Sequence, residues 1–277
     1  MQDESDSGIS PENLSPEGIR IEAGVYSGLA ENWDRFVGKE GKENRKNFLV
    51  VILKEHEGKK IFDAGLGSGG DSISLSKEGF SVASNEIDGD LAERARQNAT
   101  REGVELDISS MDWRNLEQIE DGSFDSVILL GNSLTHLFDK EDQLKALSEF
   151  HRILRRGGVL IIDERNYQDI LDRREEIASD PLNNFQPRHK NESGRATYNE
   201  EGVRAIPTEI SDNRIKISYL DSDSNQWIQG FLDLYPFKRG ELQGLLQETG
   251  FSKIDQFSDF QEGFDPQADF YEYVAVK

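Results

Sequence analysis

The chain has 277 residues, enough for one large domain with a buried core and a smaller lobe. It has no cysteine, which excludes disulfides, a thiol nucleophile and thiolate metal sites, and no apolar run of about 18 residues that would span a membrane. Its 54 acidic and 32 basic residues give a formal charge of -22, which repels phosphate backbones and anionic lipid, so neither nucleic acid nor a membrane is an expected partner.

The acidity has two readings: plain solubility, or a surface suited to high internal salt, where screening relieves self-repulsion. The start, MQDESDSGIS, lacks the basic and apolar runs of a secretory signal, so the expected location is the cytoplasm. Residues 1–20 are rich in Asp, Glu, Ser, Gly and Pro and read as a loosely held arm.

A helix is predicted over 44–55, with Phe48, Val51 and Ile52 at helical spacing. KKIFDA (59–64) reads as a buried strand, GLGSGG (65–70) as a tight turn, and 71–79 as a helix stopped by Gly79. Strands are predicted at 80–86, 104–109 and 124–132, with a helix at 91–103 between the first two. A helix capped by Asp139 carries Leu144, Leu147, Phe150 and Leu154 and is closed by Gly157–Gly158; VLIID (159–163) is the fifth strand. This alternation indicates a doubly wound, mostly parallel sheet.

Beyond Tyr167 the pattern changes. Residues 168–205 are charged and irregular, and two β-like runs, IKISYLD and WIQGFLDLYP, lie between about 206 and 236. They are expected to form an inserted antiparallel lobe over the mouth of the sheet. A helix (240–250) and a terminal strand (271–277) return to the core. The expected organisation is an N-terminal helical arm and cover (1–50), a core (51–167), a lobe (168–236) and a C-terminal return (237–277).

Two features carry the chemistry. Asp63-Ala-Gly65-Leu-Gly67-Ser-Gly69 lies between a strand and a helix, where glycines let the backbone approach a ligand at the helix N-terminus. Glycine turns also arise for steric reasons alone. Glu86 ends the second strand about 20 residues on, where a carboxylate can accept both hydroxyls of a ribose. Together they indicate a nucleoside cofactor at the carboxyl ends of the strands.

DAGLGSG resembles the first motif of class I S-adenosylmethionine-dependent methyltransferases, and FDSVILLGN and LRRGGVLII resemble later motifs of that Rossmann-like fold. A nicotinamide-linked dehydrogenase is the rival for the core. GNSLTHLFD (131–139), IIDERNYQDIL (161–171) and LYPF (234–237) are similar to segments of the glycine and glycine/sarcosine N-methyltransferases. That resemblance implies methylation of glycine and sarcosine, steps toward betaine, with S-adenosylmethionine as donor. It further implies that Asn132, Arg165 and Tyr219 are catalytic and that these three with Tyr198 bind the amino acid. Tyr26, Trp33, Arg45, Asp63, Gly65, Gly67, Glu86, Asp112, Trp113 and Leu130 would bind the cofactor.

Arg165 suits its role because a planar guanidinium grips a carboxylate through two parallel hydrogen bonds; the alternative is an ion pair with Asp163 or Glu164. His136 fits a structural role better than a proton shuttle. The histidines at 56, 136, 151 and 189 are scattered, so no metal is expected, and no general base can be assigned. Other readings are a methyltransferase for sarcosine and dimethylglycine only, or a non-catalytic S-adenosylmethionine sensor. A homo-oligomer is left open.

Overall fold

The computed structural model describes residues 27–35, 39–186 and 202–277. Tyr26 and Tyr198 lie outside the described residues.

The helices are α1 (Ser27–Ala30), α2 (Lys39–Glu55), α3 (Gly70–Lys77), α4 (Gly89–Glu102), α5 (Lys140–Ile153), α6 (Tyr167–Asp172), α7 (Arg174–Ser179), α8 (Pro181–Asn184) and α9 (Glu241–Glu248), with 3₁₀ turns at Trp33–Arg35 and Ser133–His136. The strands are β1 (Lys60–Asp63), β2 (Ser81–Asn85), β3 (Asp107–Ser109), β4 (Phe124–Leu129), β5 (Leu154–Arg165), β6 (Val203–Ser211), β7 (Arg214–Asp221), β8 (Gln226–Leu234), β9 (Lys253–Ser258), β10 (Gln261–Glu262) and β11 (Phe270–Val276).

Eight strands form one sheet in the order β10-β9-β11-β5-β4-β1-β2-β3. β1 to β5 are parallel, and β11 enters antiparallel between β5 and β9. Chain order reverses between β1 and β4, the switch point where open α/β sheets bind ligands beyond the strand ends. Both faces are covered, so β4 is apolar almost throughout. Phe62, Val127, Leu129, Leu160 and Ile162 pack with Leu147 and Phe150 on one side, and Ile61, Ile128 and Ile161 pack with α2 on the other. Among the described residues no helix is long and apolar enough to cross a membrane.

Several elements differ from the sequence expectation. α2 buries Phe48, Leu49, Ile52 and Leu53, whereas Val51 is 53% exposed, because 48, 49, 52 and 53 share one helix face and position 51 turns away from it. α4 starts two residues early, since the Asp88 carboxylate caps it by accepting from the N–H groups of Asp90 and Leu91 at 3.0 Å. α5 ends at Ile153, and Leu154, expected on its face, already pairs with Phe124. Gly157–Gly158 does not stop a helix: it forms a bulge in β5, where Gly157 has φ +72° and a Cβ on Gly158 would lie 2.7 Å from the Asp125 carbonyl.

The lobe has three antiparallel strands, β6-β7-β8, where the sequence suggested two. Pro207 hides β6 from a pattern reading. The structure places it on an edge strand beside a register shift, where the missing N–H costs no ladder bond. The expected irregular stretch also contains α6, α7 and α8.

Candidate active site

A cavity of about 730 Å³ opens at the carboxyl ends of β1, β4 and β5 and is roofed by the lobe. A second, of about 420 Å³, lies toward β3 and shares Gly65, Glu86, Ile87, Trp113 and His136 with the first.

The turn after β1 is held by its own acids. Asp63 is buried and off the cavity walls; it accepts from Ser72 Oγ at 2.6 Å and from the Gly65 N–H at 3.3 Å. Burial pushes its carboxyl up to about 7 despite the Ser72 hydrogen bond. Gly67 has φ +54°, and a Cβ there would lie 3.1 Å from Trp33 Nε1; one on Gly65 would lie 3.1 Å from Leu129 Cδ1. Trp33 therefore covers the turn, leaving a narrow backbone cradle that a side chain would fill.

Glu86 lines both cavities. Its Oε2 accepts from the Gly67 N–H at 2.8 Å and its Oε1 from the Asp88 N–H at 2.9 Å, and burial raises it to about 7 against both bonds. Trp113 donates from Nε1 to the Ala64 carbonyl at 2.7 Å. Asp112 and Trp113 face the second cavity, where the Arg114 guanidinium beside Asp112 holds its carboxyl below the usual range. Arg45 lies on the first cavity, 3.1 Å from Asp71 Oδ2 and over the Phe260 ring. These groups match an adenosyl cofactor: a carboxylate for a ribose diol, an acid with an indole beside the second cavity, and a bare backbone turn.

The other half of the cavity gathers Asn132, Arg165 and Tyr219. Asn132 has φ +65°, held there because its N–H and that of Gly131 donate to the Asp163 carboxylate at 2.6 and 3.0 Å. Its Oδ1 accepts from the Arg165 N–H at 3.1 Å, and its Nδ2 donates to the Tyr167 hydroxyl. Asn132 thus clips the end of β4 to the end of β5 and sets the start point of the Arg165 side chain. The Arg165 guanidinium lies 5.0 Å from the Phe270 ring centre and 5.4 Å from that of Phe185.

The acids beside Arg165 are directed elsewhere, Asp163 as above and Glu164 to the Tyr273 hydroxyl at 2.6 Å. Leu130 offers its carbonyl, which also accepts from Ser133 Oγ at 2.8 Å. His136 separates the two cavities; burial lowers it to about 4, and its ring donates to the Asp233 main chain. Among the described residues no group of three or more His, Asp or Glu is placed to hold a metal.

Sequence reading missed Phe185, Phe270 and Ala205, which carry no local motif, and Ser133, which lies in GNSLTHLFD but was not singled out. It also missed the two neighbours of Trp33. Asp34 accepts from Arg94 Nε at 2.9 Å and Asn98 Nδ2 at 3.1 Å, on the core side. Arg35 donates to Asp221 Oδ2 at 2.9 Å and the Gly202 carbonyl at 3.0 Å, on the lobe side.

The strand order with its antiparallel β11, the glycine cradle and the acid ending β2 define a class I S-adenosylmethionine-dependent methyltransferase. A methyltransferase-domain family model matches residues 61–158. An S-adenosylmethionine-dependent methyltransferase from Clostridium acetobutylicum superposes with a TM-score of 0.66 at 16% identity, over 91% of this chain and 98% of that one. The glycine/sarcosine N-methyltransferase of Aphanothece halophytica is 35% identical over 90% of this chain and 88% of its own length. That of Halorhodospira halochloris is 31% identical over 99% and 96%. The chain belongs to the glycine/sarcosine N-methyltransferase family.

Proposed function

We propose that this chain transfers methyl groups from S-adenosylmethionine to the amino groups of glycine and of sarcosine. The observation that carries this reading is Arg165, a guanidinium held against two rings on the wall of the cofactor cavity, where a small carboxylate can be gripped.

When bound, the cofactor supplies a methyl group already activated by its positive sulfur, so the protein's task is chiefly to position the two reactants. Glu86 would accept from the ribose hydroxyls. Asp112 and Trp113 would border the adenine, and Arg45 with the Gly65–Gly67 backbone would face the methionine end. Arg165 fixes the acceptor carboxylate, and Asn132 keeps the strand end that carries Arg165 in register. The Tyr219 hydroxyl and the Leu130 carbonyl orient the amine and stabilise the charge that grows on it. The lobe excludes water above them. His136, lowered to about 4, stays neutral near pH 7 and forms a wall.

Incubating the protein with S-adenosylmethionine and glycine, sarcosine or dimethylglycine in parallel, at low and high salt, tests the assignment. Mass spectrometry should show sarcosine from glycine and dimethylglycine from sarcosine. Turnover at background with every acceptor would leave a binding protein instead.

A further inference from the structure

Resting on the acceptor assignment above, we propose that Ala205 sets how many methyl groups the acceptor nitrogen can carry. Ala205, on β6, is paired directly with Tyr219 of β7, so the two side chains stand together on one face of the lobe sheet. Both line the cavity roof, as do Ile217, Leu232 and Leu234 among the described residues of the lobe. Among the described residues that wall holds a single hydroxyl, on Tyr219, and no charge. Its other members are apolar, and Ala205 is by far the smallest.

Glycine has one carbon between carboxylate and amine. Once Arg165 grips the carboxylate, the nitrogen stays within a short reach of that anchor, and its substituents take whatever room the roof leaves. Each added N-methyl needs one more methyl-sized space, and an apolar wall receives it without desolvating a polar group. The neighbours cannot make that space by moving, because Ile217 is 1% and Tyr219 7% exposed in a packed sheet. The short side chain of Ala205, itself 3% exposed, leaves room that a branched residue would fill.

The test is A205V against A205G, with kcat/KM measured for glycine and for sarcosine and S-adenosylhomocysteine affinity followed by calorimetry. In A205V the sarcosine-to-glycine ratio of kcat/KM should fall at least tenfold; in A205G it should rise. Equal losses on both acceptors with cofactor affinity retained, or unchanged ratios in both variants, would overturn the role of Ala205. Should A205V not fold, A205G alone decides by the direction of its ratio. Failure of the acceptor assignment reads differently: the unsubstituted protein itself would methylate neither compound.

Discussion

Around the glycine turn the interacting residues are near neighbours in sequence: Ser72 reaches Asp63 across 9 positions, and the Gly67 N–H reaches Glu86 across 19. In the acceptor half the partners are remote. Arg165 is flanked by Phe185 and Phe270, which come from the insertion and from the last strand. The cofactor half is a local motif on a parallel sheet that buries it. The acceptor half exists only when the lobe, β5 and β11 meet, so it is free to change its ligand while the cofactor end stays fixed.

If the halves are separable, Arg165→Ala should give the largest effect. Loss of a charge-assisted grip worth about 3 kcal/mol raises the KM for glycine roughly 100-fold. Affinity for S-adenosylhomocysteine, read by calorimetry, should stay within about twofold of its starting value. A parallel fall in both would show the halves to be one unit.

The converse substitution, Glu86→Gln, should weaken S-adenosylhomocysteine roughly tenfold. It should also remove a pH dependence. Free Glu86 titrates near 7, and hydroxyl donors favour its ionised form, so binding tightens as pH rises through about 7 and releases a proton there. Calorimetry in buffers of different ionisation enthalpy detects that proton. In the empty protein the sign reverses: a carboxyl raised above its ordinary 4.5 adds stability below that value, and loses it as pH rises through about 7.

Arg35→Ala probes the join between the halves. Its ion pair with Asp221 is partly exposed and worth at most about 1 kcal/mol, so dissociation of S-adenosylhomocysteine in stopped flow should quicken by roughly fivefold at most. Phe185→Leu should have the smallest effect, a glycine KM raised about threefold from a lost cation–π contact of about 0.5–1 kcal/mol. Phe185→Tyr should restore it; an unchanged KM in the leucine variant would remove Phe185 from the anchor.

The same contrast governs what could be read in the sequence. The turn, Glu86 and the strand–helix rhythm were legible because each depends on partners at a short, fixed spacing, 19 positions at most for the turn and Glu86. Gly157–Gly158 misled because a glycine pair fits a helix stop as well as a strand bulge, and only the Asp125 carbonyl against Gly158 decides between them. The strand that carries Pro207 drew no expectation, and a proline fits there because the strand lies on an edge. Asn132 looked like a substrate contact, and its amide also clips Arg165 to Tyr167. Phe185, Phe270 and Ala205 gave no signal, since an isolated apolar residue has the same appearance in a core and on an active-site wall.

Asp34 and Arg35 are adjacent, yet one holds α4 and the other the lobe. Both ion pairs are partly open to solvent, with side chains 22–30% exposed. Ions shorten electrostatic reach from about 10 Å in dilute buffer to about 3 Å near molar salt. Brine therefore loosens this two-residue staple, while the Trp33 contact over Gly67 and the packing of Gly28 on Gln229, which involve no charge pair, do not loosen with it. The cover over the glycine turn is thus held by two kinds of contact, one that salt weakens and one that it does not.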